Sequence, residues 1–194
     1  MPNWCSNTVI VDGEKKEVAR FVKYVQTKNC HFSFNAILPM PDELQGTMSP
    51  TNIVTQEEYD NYELPSHGFD VGKPITQEMS DKFLYLYGND NWCDWANDNW
   101  GTKWDLPSEE VSANTDSIHL VYQFDTAWSP PDGVYKELVN QFPELTINWH
   151  YSEADMELFG NLATEKPRKR VSSRELNKRI EQLFKKKEVT DAKV

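Results

Sequence analysis

The feature of this chain that most constrains its fold is the order in which strand-like and helix-like hydrophobic periodicities follow one another. The clearest strand is residues 117–125, where an apolar residue at every second position predicts one buried face. The same reasoning predicts further strands at 7–11, 110–114, 145–151 and 156–162, and helices at 14–28, 77–87, 91–100 and 132–141. The order β-α-(insertion)-β-β-α-β-β predicts an α+β fold with helices packed on one face of an antiparallel sheet.

Two stretches after the first predicted helix are less regular. Residues 31–38 alternate briefly in the manner of a short strand, until Pro39 and Pro41 end regular structure. Residues 41–74 are polar and rich in Pro, Gly, Asn and Asp, which is typical of a long connection with a functional role. We therefore expect an inserted loop-helix region between the first helix and the rest of the sheet.

Tryptophans are concentrated in residues 89–105 (NDNWCDWANDNWGTKWD), which hold four of the seven in the chain. Helical spacing favours core packing for Trp92 and Trp95. Trp100 and Trp104 flank Gly101, so we expect them to be the more exposed pair.

Exposed aromatic rings next to carboxylates and amides are suited to stacking on nucleobases or sugars, because rings supply flat apolar area and polar groups fix the edges. The turn 126–131 contributes another tryptophan bounded by prolines. The predicted ligand-binding residues are therefore Trp100, Trp104, Asp105, Asp125 and Trp128. Core packing of the same rings is the alternative.

A pair of acidic residues, Asp94 and Asp98, lies one helical turn apart, on the side of its helix opposite the tryptophans. Two like charges at this spacing repel each other mildly and would be relieved by a cation or a basic partner. A solvated acidic helix face is the simpler interpretation.

Charge divides the chain into two parts. Residues 165–194 hold eleven Lys and Arg against five Asp and Glu, a net of +6, whereas the whole chain carries −11; the first 164 residues therefore carry −17. A body of that charge is repelled by the phosphate backbone of nucleic acid. Its acidity either keeps the protein in solution or serves to mimic nucleic acid and bind a basic partner.

The basic end of the chain is predicted to be a separate tail, residues 164–194, attached to an acidic, Trp-rich domain of residues 1–163. Residues 164–171 form a basic linker, and Ser172 with Glu175 makes a capping pattern that predicts a helix over 172–187. Its predicted partner-binding residues are Leu176, Ile180, Leu183, Phe184, Lys185, Lys186 and Lys187. Docking on a partner or formation of a homodimer would bury the apolar residues, and contact of the lysines with nucleic acid is the alternative.

The sequence indicates a non-enzymatic protein without a cofactor or metal. The three cysteines, Cys5, Cys30 and Cys93, lack the close pairing typical of structural zinc sites, and nucleophile-elbow, P-loop and dinucleotide motifs are missing. Unpaired thiols and the lack of a secretory or membrane-spanning stretch lead us to expect a protein of the cytoplasm, with no membrane contact.

Four sequence blocks in this order, MPNWCSNTV, NAILPMP, DNWGTKWD and FDTAWSPP, resemble the YubB-type family of phage and plasmid proteins. The resemblance covers about residues 2–162 and implies a ferredoxin-like domain encoded by a mobile element; it brings no established activity or catalytic residues. We therefore expect an accessory protein that binds a host protein, such as a component of host defence. The alternative is a protein that binds or processes a nucleotide or sugar in the pocket of tryptophans and aspartates.

Overall fold

The computed structural model describes residues 2–64, 72–107, 112–114, 120–155 and 157–162, without the side chains of 112–114. The predicted tail, including the helix at 172–187, lies outside the described residues. The strands are β1 (Trp4–Asp12), β2 (Ile53–Val54), β3 (Ile75–Thr76), β4 (Ser112–Asn114), β5 (Leu120–Ala127), β6 (Thr146–Glu153) and β7 (Leu158–Leu162). The helices are α1 (Lys15–Val25), α2 (Phe34–Ile37), α3 (Gln56–Asp60), α4 (Gln77–Tyr87), α5 (Trp92–Asn99) and α6 (Asp132–Gln141).

The main sheet has five strands in the order β4-β5-β1-β6-β7, and each pairs with its neighbours in antiparallel fashion. β1 lies at the centre, because helix α6 carries the chain from β5, on one side of β1, to β6 on the other. The four strands β4, β5, β1 and β6 have the order of a ferredoxin-like sheet, and β7 extends one edge. The expected α+β, ferredoxin-like fold is confirmed.

The sheet has two unlike faces because successive side chains of a strand point in opposite directions. One face is packed under the helices and is rich in aromatic rings, including Tyr122, Phe124 and Trp149, which contact Phe32 through ring centroids 5.0–6.0 Å apart. The other, which we call the open face, carries the alternate residues. Its exposed or half-buried members on the three longest strands are Trp4, Ser6, Thr8, Ile10, Asp12, Val121, Gln123, Asp125, Thr146, Asn148, His150 and Ser152.

The connection between α2 and α4 contains the small parallel pair β2–β3 and the short helix α3, so the expected loop-helix insertion is present. Thr55 begins α3 with a capping box: its hydroxyl accepts from the Glu58 N–H while the Glu58 carboxylate accepts from the Thr55 N–H. Helices α4 and α6 have the predicted bounds, and α4 ends at Gly88 in the left-handed conformation that favours glycine.

The brief alternation at 31–38 does not correspond to a strand, because these residues include helix α2, which the sequence did not predict. The Ser33 hydroxyl accepts from the Ala36 N–H at 3.2 Å and caps its start. The carboxylate of Asp105 accepts from the N–H groups of Phe34 and Asn35. Two caps supply acceptors for the first free N–H groups of the turn and so favour a helix over a strand.

Candidate binding groove

A groove of about 400 Å³ lies at one end of the open face, where β1 begins and β5 ends. It is lined by Trp4, Trp104, Asp105, Leu106, Pro107, Asp125, Thr126 and Ala127. Three of the predicted ligand-binding residues, Trp104, Asp105 and Asp125, are therefore brought together, although they are distant in sequence.

The floor of the groove comes from the pairing of β1 with β5. Trp4 lies opposite Ala127 and Ser6 lies opposite Asp125, so Trp4 and Asp125 are near neighbours on the open face. Half of the Trp4 surface is exposed. An indole at this position presents a large apolar area to solvent, which a bound partner would cover.

The far wall is the segment 101–107, which follows α5 and is held by side-chain bonds to β5 and to the turn after it. The Ser129 hydroxyl donates to the Gly101 carbonyl at 2.6 Å, and the Thr102 hydroxyl donates to the Ala127 carbonyl at 3.0 Å. Gly101 has φ +92°, a left-handed conformation that lets the chain turn sharply after the helix. The first bond fixes the start of the wall, and the second fixes the wall against β5, which forms part of the floor.

Asp105 anchors the other end of this wall and is a structural residue. Its carboxylate accepts hydrogen bonds of 2.6 to 3.1 Å from the Ser33 hydroxyl and from the N–H groups of Phe34, Asn35 and Leu106. Four donors occupy both oxygens, so this carboxylate serves to attach the wall to α2 and has little capacity left for a ligand.

Asp125 is the carboxylate that faces the groove. It is exposed, and its Oδ1 accepts from the Ser6 hydroxyl at 2.8 Å. That bond orients the carboxylate on the floor beside Trp4 while leaving it accessible from solvent. Asp125 therefore supplies a negative charge at an apolar wall.

The second aromatic element is a pair of rings, Trp104 and Trp128, with centroids 5.7 Å apart and planes tilted by 30°. Trp128 does not line the groove itself but backs the ring that does. Its backbone has φ +63°, which is uncommon for a bulky residue, and its N–H donates to the Asn3 carbonyl at 2.9 Å. Such a conformation costs on the order of 1–3 kcal/mol and is concentrated at functional sites.

Trp104 already has a cation against its ring, since the Lys103 ammonium lies 4.7 Å from the ring centroid. The same ammonium lies 5.3 Å from the Trp92 ring. Both distances are within the range of a cation–π interaction. The aromatic wall of the groove is therefore of the kind that binds positive charge.

Beneath the floor, a buried polar network joins three strands. The Asn7 amide donates to the Thr126 hydroxyl at 2.8 Å and accepts from the Trp149 indole N–H at 3.0 Å. The Thr126 hydroxyl in turn donates to the Ser129 carbonyl at 2.8 Å, at the turn that carries Trp128. A fully bonded network of this kind makes the base of the groove rigid.

The expectation that Trp100 is exposed and binds ligand is wrong. Only 4% of its surface is exposed, and its indole N–H donates to the Leu38 carbonyl at 2.8 Å. It packs edge-on against Trp95 at 5.6 Å. Trp100 follows the last residue of α5, and its backbone N–H donates to the carbonyl of Ala96, four residues earlier. The last turn of the helix therefore directs the ring into the core.

Trp4 is the tryptophan of the groove that the sequence did not predict. The predicted strand began at residue 7, yet the alternation of the buried residues Cys5, Asn7, Val9 and Val11 continues back to the start of β1 at Trp4. Extending that alternation would have placed Trp4 on the open face. Its position next to Asp125 depends on strand pairing and has no local signal.

Two of the three thiols, those of Cys5 and Cys30, are buried and unreactive in this arrangement. Burial raises the pKa of the Cys5 thiol to about 11, and burial also raises the pKa of Cys30. Within the part of the chain that the structure describes, His, Cys, Asp and Glu form no group of three that could hold a metal ion. Asp94 and Asp98 are each bonded to an amide, from Asn91 at 2.8 Å and Asn89 at 2.9 Å.

None of the helices in the described residues is both long and apolar enough to cross a membrane.

Comparison with family models supports the ferredoxin-like fold for part of the chain. Residues 99–192 match a family model described as the ferredoxin-like domain in Api92-like protein. The crystal structure of a protein api92 from Yersinia pseudotuberculosis superimposes with a TM-score of 0.45 at 12% identity, over 83% of this chain and 93% of that one. A search of curated proteins gives no match.

The family match begins in α5 and so leaves out β1, the central strand, which the N-terminal half of the chain supplies. It continues through residue 192 and therefore includes most of the predicted tail. The resemblance is supported at the level of a ferredoxin-like family, whereas the YubB-type assignment and the mobile-element origin remain proposals. The chain is similar to the ferredoxin-like domain of Api92-like proteins.

Proposed function

We propose that the protein is a non-enzymatic binding protein that recognises a basic surface of a partner protein, with the groove receiving an arginine or lysine side chain. The observation that carries this proposal is that the exposed carboxylate of Asp125 lines the same groove as the indoles of Trp4 and Trp104. An arginine side chain fits such a site because its planar guanidinium stacks on an indole while donating to a carboxylate.

The charge of the whole body supports the same kind of partner. A net charge of −17 over the first 164 residues attracts a basic protein from a distance and raises its association rate. The groove then provides a short-range anchor at which a ring and a charge act together. Long-range attraction and local anchoring are different contributions, and they can be separated by their dependence on salt.

The biological role we propose is that of an accessory protein of a phage or plasmid, of the YubB type, acting on a host protein such as a defence component. An acidic body that binds the basic surface of a nucleic-acid-binding protein would compete with its nucleic acid. This mimicry rests on the charge division of the chain and on the resemblance of its sequence blocks.

A titration with an arginine-rich peptide tests the proposal, with a glutamate-rich peptide of the same length as control. We expect the arginine-rich peptide to bind and to change tryptophan emission, and its affinity to fall steeply between about 50 and 200 mM salt because screening weakens exposed charge pairs. Trp4→Ala should weaken binding about tenfold, the loss of one cation–π contact of about 1–2 kcal/mol. Equal binding of both peptides, or none of the arginine-rich one, contradicts the proposal.

A second candidate function is the binding of a small nucleotide or sugar, which the size of the groove favours. A volume of about 400 Å³ lies within the range of small-molecule sites, and two indoles line it. In that case a screen of nucleotides and sugars would change the emission of Trp4 and Trp104, with no dependence on the charge of a peptide. Absence of any change across the screen excludes this candidate.

A further inference from the structure

Strand pairing aligns four residues of the open face in one row that begins at the groove. Ser6 of β1 lies opposite Asp125 on one side and opposite Ser152 on the other, and Ser152 lies opposite Phe159 of β7. Residues that are directly opposite each other in neighbouring strands point to the same face of the sheet. The row Asp125–Ser6–Ser152–Phe159, which we call the serine row, therefore leads from the floor of the groove across the sheet to β7.

The two ends of the serine row offer different chemistry. Asp125 is an exposed carboxylate in a groove that Trp4 also lines. Phe159 is an aromatic ring with 76% of its surface exposed. The side chains of Ser6 and Ser152, between the two ends, are small and neutral. The row thus suits a ligand with a positive charge at one end and an apolar group at the other.

The next row of the open face is polar and adds no second acidic group. Its members are Gln123, Thr8, His150 and Asn161. Among the described residues of these two rows, Asp125 is the one carboxylate, and Lys and Arg do not occur. A basic group is therefore attracted to one end of the serine row, and this charge sets the direction in which a ligand lies along it.

The length of the serine row matches an extended peptide. Neighbouring strands lie about 4.8 Å apart, so three such steps place the backbone of Phe159 about 14 Å from that of Asp125. An extended chain advances about 3.4 Å per residue, so residues four positions apart are separated by about the same distance. Because side chains alternate with a period of two, residues four positions apart also point to the same side, whereas residues three positions apart do not.

We propose that Phe159 is a second subsite of the groove, and that the ligand is an extended segment of the basic partner with an arginine and an aromatic residue four positions apart. The proposal rests on the function proposed above and adds a sequence requirement to it. The arginine lies at Asp125, the aromatic ring packs on Phe159, and a small residue between them lies over Ser6 and Ser152. The segment crosses the strands of the sheet without pairing with them.

Four short peptides test the spacing. Each has one arginine and one phenylalanine in a background of serine and glycine, with the phenylalanine four or three positions from the arginine, either before it or after it. Isothermal titration into the full chain at about 50 mM salt keeps the charge contribution strong. We expect one of the two four-position peptides to bind about fivefold more tightly than its three-position counterpart, within the range of one aromatic pair.

Two protein variants locate the subsite. Phe159→Ser removes the exposed ring on β7, while Leu84→Ser, the matched control, removes an apolar side chain that is 49% exposed on α4. The preference for the four-position peptide should disappear in Phe159→Ser and remain in Leu84→Ser. A preference that persists in Phe159→Ser overturns the subsite. A molar mass by light scattering that halves in Phe159→Ser shows that a second copy covers the ring, and this also overturns it.

The remaining outcomes separate the subsite from the function on which it rests. If all four peptides bind the wild type equally and Asp125→Asn weakens them all, the subsite is wrong and the basic partner stands. If none of the four binds and the arginine-rich peptide does not bind either, the proposed function is wrong and the subsite falls with it. If only the arginine-rich peptide binds, a single arginine and an aromatic residue do not define the ligand, which overturns the subsite alone.

Discussion

At the scale of single residues, the two aspartates of the groove have opposite roles. Asp105 accepts four hydrogen bonds and joins the wall to α2, while Asp125 is exposed and oriented by one serine. The sequence alone predicted both as ligand-binding residues, because residue type and neighbourhood are alike at the two positions. The long-range contacts of Asp105 with Ser33, Phe34 and Asn35 distinguish it from Asp125, and no local sequence pattern predicts these contacts.

Removal of the Asp105 carboxylate is expected to destabilise the fold. Asp105→Ala leaves the N–H groups of Phe34 and Asn35 without their acceptor, which should lower the free energy of unfolding by about 2–4 kcal/mol. Asp125→Ala, the matched control at an exposed site, should change it by less than about 0.5 kcal/mol. Urea denaturation followed by circular dichroism measures both, and similar losses in the two variants would contradict the roles assigned here.

Thiol reactivity follows from burial. The pKa of Cys5 is raised to about 11 and that of Cys30 is raised as well, so at pH 8 both thiols are protonated and shielded. Cys93 is half-buried on α5 and should react. Mass spectrometry after brief treatment with iodoacetamide should find one label on the native protein and three after unfolding. Rapid labelling of Cys5 in the native state would show that the network beneath the groove opens.

At the scale of elements, hydrophobic periodicity was sufficient to predict a helix or strand whose stability comes from residues within or next to it. Helices α4 and α6 have the predicted bounds because the signals are local: α4 is capped by Thr76 and Gly88, and α6 follows Pro131 and has an apolar stripe of its own. Helix α2 was missed because it has four residues and one of its caps comes from Asp105, about seventy positions away. A short helix of this kind is decided by tertiary contacts and not by propensity.

The contact between α5 and α6 depends on a glycine. A Cβ atom built on Gly133 would overlap the carbonyl oxygen of Asn99, and the Gly133 N–H donates to the Trp100 carbonyl at 3.1 Å. Gly133→Ala should destabilise by about 3 kcal/mol through forced separation of the helices, although alanine is the better helix former. Gly88→Ala, strained only by its left-handed backbone, should cost about 1 kcal/mol. Thermal unfolding that ranks the two variants in the opposite order would contradict the close approach.

The junction between α4 and α5 should be sensitive to acid. Burial raises the pKa of Asp90, but hydrogen bonds from Thr51, Ser80 and Asn91 outweigh it, so the pKa lies below its usual 3.8. A lowered folded-state pKa contributes stability above about pH 4, and that contribution is lost as the pH falls through the folded value. The stability difference between wild type and Asp90→Asn should therefore shrink from pH 6 to pH 3. A difference that is constant over this range would contradict the assignment.

At the scale of the whole molecule, the fold class was predictable and the groove was not. The order of strands and helices, read with the rule that consecutive elements pack together, leads to an α+β sheet. The groove needs residues 4, 104 and 125 in one place, which depends on the pairing of β1 with β5 and on the course of the segment 101–107. Composition predicted the acidic body but not the point on its surface at which aromatic rings and a carboxylate meet.

The central claim is that Asp125 is the charged anchor for a basic partner. Asp125→Asn removes the charge on the floor, while Asp81→Asn removes the same charge from an exposed position on α4, where the carboxylate accepts from Gln77. Isothermal titration of the arginine-rich peptide into each protein at 100 mM salt measures the difference. We expect Asp125→Asn to bind at least tenfold more weakly than Asp81→Asn, which should match the wild type within about twofold, because distant exposed charges are screened. Equal weakening in both variants would show that the body attracts basic partners by net charge alone and would contradict a specific site at the groove.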